Sequence, residues 1–133
     1  MASYYGAART NYFRVRDKDI AEDWAKTWGF EMCPGGNDPS VFCFLSEHED
    51  GWPPSRYDEE GEEIAGLPLI EQFNNIAAPD EIVIMMEAGS EKLRYLVGYA
   101  AAIRNGEVIE ISLHDIYDLA ANKWGVKPTK VEL

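Results

Sequence analysis

EIVIMMEAGSEKLRYLVGYAAAIRNGEVIEISL, residues 81–113, consists of three apolar runs separated by two dipeptides with turn chemistry. Asn105-Gly106 suits a type I′ turn, which needs positive φ at both central residues, a conformation that Asn and Gly adopt at least cost. Gly89-Ser90 suits a type II′ turn, with Gly first. Together they predict a three-stranded antiparallel meander. Two-residue turns fix register, so facing partners follow. About the second turn Arg104 opposes Glu107, Ala102 opposes Ile109 and Ala100 opposes Ile111. About the first, Glu87 opposes Lys92, Met85 opposes Arg94 and Val83 opposes Leu96. Each turn then carries a pair of opposite charges beside it.

In this register one face holds Val83, Met85, Leu96, Gly98, Ala100, Ala102, Ile109, Ile111 and Leu113, a trough in which a helix can sit close. The other holds Ile82, Ile84, Met86, Leu93, Tyr95, Val97, Tyr99, Ala101 and Ile103, relieved only by Glu110 and Ser112. A sheet apolar on both sides needs cover on both. Either the helices and a long loop divide between the two faces, or the tyrosine face meets another chain.

Upstream, residues 1–9 read as a flexible arm and Thr10–Arg16 (TNYFRVR) as a strand. Asp17 is a candidate N-cap, and Ile20, Ala21, Trp24, Ala25 and Trp28 recur at helical spacing up to a Gly29 stop. Phe30–Cys33 and Val41–Leu45 flank a turn, Pro34-Gly35-Gly36-Asn37-Asp38-Pro39, and form a hairpin. Residues 46–67 carry Pro53-Pro54 and three glycines and form a long acidic loop. Leu69, Ile70, Phe73 and Ile76 mark a second helix. Ser112 and Asp115 resemble a capping box that opens a third, with Ile116, Leu119, Ala120 and Trp124 inward and Gly125 closing it. Residues 126–133 form a tail. The order is β-α-β-β-loop-α-β-β-β-α: one α+β domain over residues 1–133, with a mostly antiparallel sheet of five to six strands and about three helices.

The chain of 133 residues is 46% hydrophobic, and 24 acids against 12 bases give a net charge of −12. That charge disfavours nucleic acid and anionic lipid as direct partners and favours a basic one. No segment reads as a signal peptide or membrane span, which points to a soluble, cytoplasmic protein. Cys33 and Cys43 lie ten apart without nearby histidines, the pattern of two free thiols rather than a zinc site.

The charge concentrates in one tract. Glu47, Glu49, Asp50, Asp58, Glu59, Glu60, Glu62 and Glu63 are opposed there only by Arg56, with Trp52 and Tyr57 among them. These eleven residues form the candidate partner-binding site. Carboxylates on such a surface imitate a phosphate backbone or meet a Lys/Arg-rich groove directly, and complementary charge speeds the encounter. The competing reading is a solvated acidic loop. Calcium fits poorly, because the tract lacks the Asp-x-Asp-x-Asp-Gly spacing. His48 and His114 are isolated, neither cysteine has a recognisable activating neighbour, and Pro34-Gly35-Gly36 is not a phosphate loop. No catalytic residue, metal or cofactor is expected.

The segments NYFRVRD (11–17) and EAGSEKLRYLVGYA (87–100) resemble small acidic proteins of bacterial mobile elements, among them anti-CRISPR and anti-restriction inhibitors of host defence. The resemblance implies a non-enzymatic inhibitor in the cytoplasm of a bacterial host; whether it is a monomer or a homodimer stays open. It implies docking of carboxylates on the basic, nucleic-acid-binding surface of a CRISPR complex or restriction enzyme. An immunity or antitoxin-like protein neutralising one toxin enzyme is the alternative, and a small hydrolase with an acid–base pair near His48 is a third reading.

Overall fold

The Asn105-Gly106 turn forms as its chemistry dictates, with φ of 47° and 85°. The structure, a computed structural model, describes residues 4–48, 51–53, 68–91 and 95–129, with the side chains of Tyr4, Tyr5, Glu91 and Tyr95 outside that description. In chain order the elements are β1 (Tyr4–Thr10), β2 (Phe13–Arg14), α1 (Lys18–Trp28), β3 (Phe30–Pro34) and β4 (Val41–Ser46). They continue with α2 (Leu69–Ile76), β5 (Val83–Glu91), β6 (Tyr95–Arg104), β7 (Glu107–Ser112) and α3 (Asp115–Trp124). The strands form one antiparallel, seven-stranded sheet in the order β2-β4-β1-β5-β6-β7, with β3 pairing with β4. This is the α+β class read from the sequence, with one strand more than the upper count.

The additional strand is β1. Residues 1–9, expected to be an arm, instead supply a strand inserted between β4 and β5, with Tyr4 opposite Glu91 and Thr10 opposite Met85. The expected strand Thr10–Arg16 is broken after Thr10. There the Asn11 side chain takes over the pairing, donating to the Ile82 carbonyl at 2.9 Å and accepting from Ile84 N at 2.8 Å. Thr10 and Phe13 both point into the core although three positions separate them. One extra residue has been accommodated, as in a β-bulge. Thr10 is buried yet satisfied: its Oγ1 accepts from Phe44 N at 2.9 Å and donates to the Asn11 carbonyl at 2.8 Å.

The hairpin of β3 and β4 matches its sequence reading, with Cys33 opposite Cys43. Helix α1 starts at Asp17, whose carboxylate accepts from Asp19 N and Ile20 N, and stops at Gly29 with φ of 78°. Ile20, one of the apolar residues at helical spacing, is exposed. Helices α1 and α2 cover one face of the sheet. Trp24 Nε1 and Trp28 Nε1 both donate to Gln72 Oε1, at 3.0 and 3.2 Å, and lock the two helices together. Phe73 sits fully buried among Phe13, Trp24, Phe30, Phe44 and Trp52. Aromatic pairs in such edge and stacked geometries add about 0.5–1.5 kcal/mol each beyond their buried area.

The meander reading is correct in one half and shifted in the other. Around Asn105-Gly106 the pairs Arg104–Glu107, Ala102–Ile109 and Ala100–Ile111 stand as read. Gly89-Ser90 is not a turn. Strand β5 runs through it to Glu91, placing Val83 opposite Ile103, Met85 opposite Ala101 and Glu87 opposite Tyr99. The reason is β1: paired with β5 from Met85 to Glu91, it keeps Gly89 and Ser90 in ladder pairing with Gly6 and Tyr5. The expected partners Lys92 and Arg94 lie outside the described residues. The slip is an odd number of residues, so it redistributes the faces. Val83, Met85, Ala101 and Ile103 now share the buried face with the helices. The opposite face carries Met86, Leu96, Ile109, Ile111 and Leu113, all more than half exposed.

Candidate functional site

Of the eleven residues in the candidate partner-binding set, Glu47 and Trp52 lie within the described structure. Glu49, Asp50, Arg56, Tyr57, Asp58, Glu59, Glu60, Glu62 and Glu63 lie outside the described residues. The described stem of the tract is held by local hydrogen bonds. Ser46 Oγ donates to the Gly51 carbonyl at 2.8 Å, and Gly51 N donates to the His48 carbonyl at 3.3 Å. His48 Nε2 lies 2.9 Å from the Trp28 carbonyl; a carbonyl can only accept, so this nitrogen carries the proton. Gly51 has φ of 89°, and a Cβ there would run into the Glu87 carboxylate. That carboxylate accepts from Trp52 N at 2.7 Å.

The sequence reading makes Trp52 an aromatic anchor for a partner. In the structure its ring is half-buried and packs edge-on against Phe30 and Phe73, at centroid distances of 5.4 and 5.6 Å. Its Nε1 is buried without a hydrogen-bond partner among the described residues. Trp52 therefore fastens the stem to the core. Glu47 is exposed, and its backbone N–H donates to the Gly29 carbonyl at 3.3 Å. On the far side the chain resumes at Pro68 and enters α2, where Leu69 packs on the same aromatic cluster as Trp52. Trp52 and Leu69, the described apolar residues on either side of the intervening segment, thus pack on one core cluster. The exposed side of the helical layer carries Asp19, Asp23 and Glu71.

Chemistry elsewhere is sparse. Among the described residues, no group of three or more His, Cys, Asp or Glu side chains could hold a metal ion. Cys33 and Cys43 are free; Cys43 is buried and Cys33 half-buried. Burial, reinforced by Glu31 nearby, pushes the Cys33 thiol up and away from the reactive thiolate. Tyr99 donates to Glu110 at 3.2 Å, and partial burial followed by that carboxylate's charge raises its phenol. Neither group is poised for nucleophilic or acid–base work. Among the described residues no helix is long and apolar enough to cross a membrane.

The feature that sequence reasoning assigned differently is the second face of the sheet. A groove of about 600 Å3 crosses it, floored by Ala7, Ala88, Gly98 and Ala100 and walled by Ile111 and Leu113. The signal was present in the sequence, since both faces of the meander read as apolar. What could not be read was which residues the helices would choose, because β1 and the register of β5 decide that. Helix α3, expected to turn Ile116, Leu119 and Trp124 inward, leaves them 59%, 63% and 68% exposed and has no buried residue. The chain matches no protein-family model, no curated protein and no solved structure.

Proposed function

We propose that the protein is a non-enzymatic inhibitor acting in the bacterial cytoplasm, of the anti-CRISPR or anti-restriction type. It presents its acidic tract to the basic, nucleic-acid-binding surface of a defence complex. The observation that supports this reading is the net charge of −12, with its densest run of carboxylates between Glu47 and Glu63. Such a field raises the encounter rate with a Lys/Arg-lined channel and competes there with phosphate. The anchored stem adds to the argument. Trp52 and α2, on either side of the tract in the chain, are both packed on one aromatic cluster.

The test is co-purification with a CRISPR effector or restriction enzyme from the host, at low and high salt, using the native chain and a variant with Glu59, Glu60, Glu62 and Glu63 all changed to Lys. The native chain should be retained at low salt and released as salt rises. The variant should fail to bind while keeping the native circular dichroism spectrum. Binding unchanged by the four reversals would overturn the proposal. Trp52 is unsuitable for this experiment, because its ring belongs to the core and its loss would perturb the fold.

A further inference from the structure

We infer that the bare face of the sheet is a homodimer interface, in which each copy of the chain lays its helix α3 into the groove of the other about a two-fold axis. Three observations converge on a second copy as the occupant, and none depends on the acidic tract.

The first is fit. Ala7, Ala88 and Gly98 are direct register partners across β1, β5 and β6, and Leu113 continues the row by sitting over Gly98. From β1 to the Leu113 wall the row crosses three strand spacings, about 14 Å. Helix α3 has 10 residues, a length of about 15 Å. Its Ile116, Leu119 and Trp124 form an apolar stripe of the kind that needs such a floor. Arg9, on the same face of the sheet as Met86, is opposite in charge to Asp115 and Asp118 in the first turn of α3.

The second is direction. Leu113 N donates to the Gly98 carbonyl at 2.9 Å, and Ser112 N donates to Asp115 Oδ2 at 2.7 Å. A Cβ on Gly98 would lie 2.6 Å from Leu113 Cγ, so the Leu113 side chain is seated directly on the glycine. These contacts set the exit of α3 from β7, and along that exit Ile116, Leu119 and Trp124 stay exposed rather than packed on the helix's own sheet. An isologous exchange satisfies both copies with one set of contacts.

The third is area. Met86, Leu96, Ile109, Ile111 and Leu113 on the sheet are each at least 52% exposed. With the three apolar side chains of α3 they offer roughly 800 Å2 per copy, the amount a specific interface requires. Glu107 on this face stands at the rim, opposite Arg104. Long-range repulsion between two chains of charge −12 opposes the contact, so added salt should tighten the dimer while weakening any partner held by the acidic tract.

The experiment is sedimentation equilibrium of the full chain at micromolar concentration, in low and moderate salt, with Leu119→Asp and Ile111→Asp variants. The native chain should have twice the mass of a single copy and dissociate less as salt rises. Each variant should halve the mass while keeping its circular dichroism spectrum. In a sample mixing isotope-labelled and unlabelled chains, filtered NOEs should connect Trp124 of one copy with Met86 or Leu96 of the other. A monomer with Trp124 covering its own Met86 would assign the groove to the chain's own helix. A monomer with the face bare would assign it to a foreign partner, and a dimer lacking the Trp124 cross-peaks would place the interface elsewhere. Any of these three results overturns the inference.

Discussion

At the scale of single residues, two polar groups carry more structure than their size suggests. Thr10 is 2% exposed and uses its one hydroxyl twice, as acceptor for Phe44 N and donor to the Asn11 carbonyl. Thr10→Val keeps the volume and removes both bonds. It leaves a buried N–H unpaired, so the variant should lose about 1–3 kcal/mol in urea denaturation. Asp38 works at the surface. The Ser40 hydroxyl and backbone N–H, followed by the Arg14 guanidinium, hold its carboxyl down from 3.8 to about 2. A folded-state value below the unfolded one means the contribution is present above pH 3.8 and is lost as the pH falls to about 2. Asp38→Asn should therefore lower the urea midpoint at neutral pH. The gap to the native protein should then close through that acid window.

At the scale of elements, local signals succeeded wherever the chemistry was local. Asp17 and Gly29 bound α1 because a carboxylate satisfies the first free N–H groups and a glycine tolerates the left-handed stop. Asp17→Ala should cost about 1 kcal/mol, measured as a fall in urea midpoint with unchanged m-value. Asn105-Gly106 succeeded for the same reason. Gly89-Ser90 failed because its turn chemistry, the weaker of the two, was outweighed by a distant strand: β1 pairs with β5 from Met85 to Glu91 and keeps those residues extended. The capping pair at α3 was half legible. The Asp115 carboxylate does accept from Ser112 N, whereas the residue at the cap itself, His114, makes no side-chain capping bond. The stem of the acidic tract was legible as composition and illegible as packing, since nothing local says that Trp52 turns inward to Phe73.

At the scale of the whole molecule, the described apolar surface is concentrated on one side of the sheet and on α3. Trp52 and Leu69, which flank the acidic tract, pack on the core under the helices. Met86, Leu96, Ile109, Ile111 and Leu113 lie exposed on the opposite side of the sheet, and Ile116, Leu119 and Trp124 lie exposed on α3. With a net charge of −12, self-repulsion opposes the folded state, and ions relieve it. Raising sodium chloride from low to physiological strength should therefore raise the melting temperature. A fall would mean that specific ion pairs outweigh the net field, whereas the described pairs, Arg14–Asp38 and Lys18–Glu22, are both exposed and so individually weak. The position of β1 bears on how the protein is made. Asn11 and Ile84, which join across the sheet, are 73 positions apart. A ribosome adding about 5–20 residues per second takes roughly 4 to 15 s to supply that partner. Until then β1 waits with its outer edge open on the nascent chain, so the sheet closes late, and its closure should set the pace of folding.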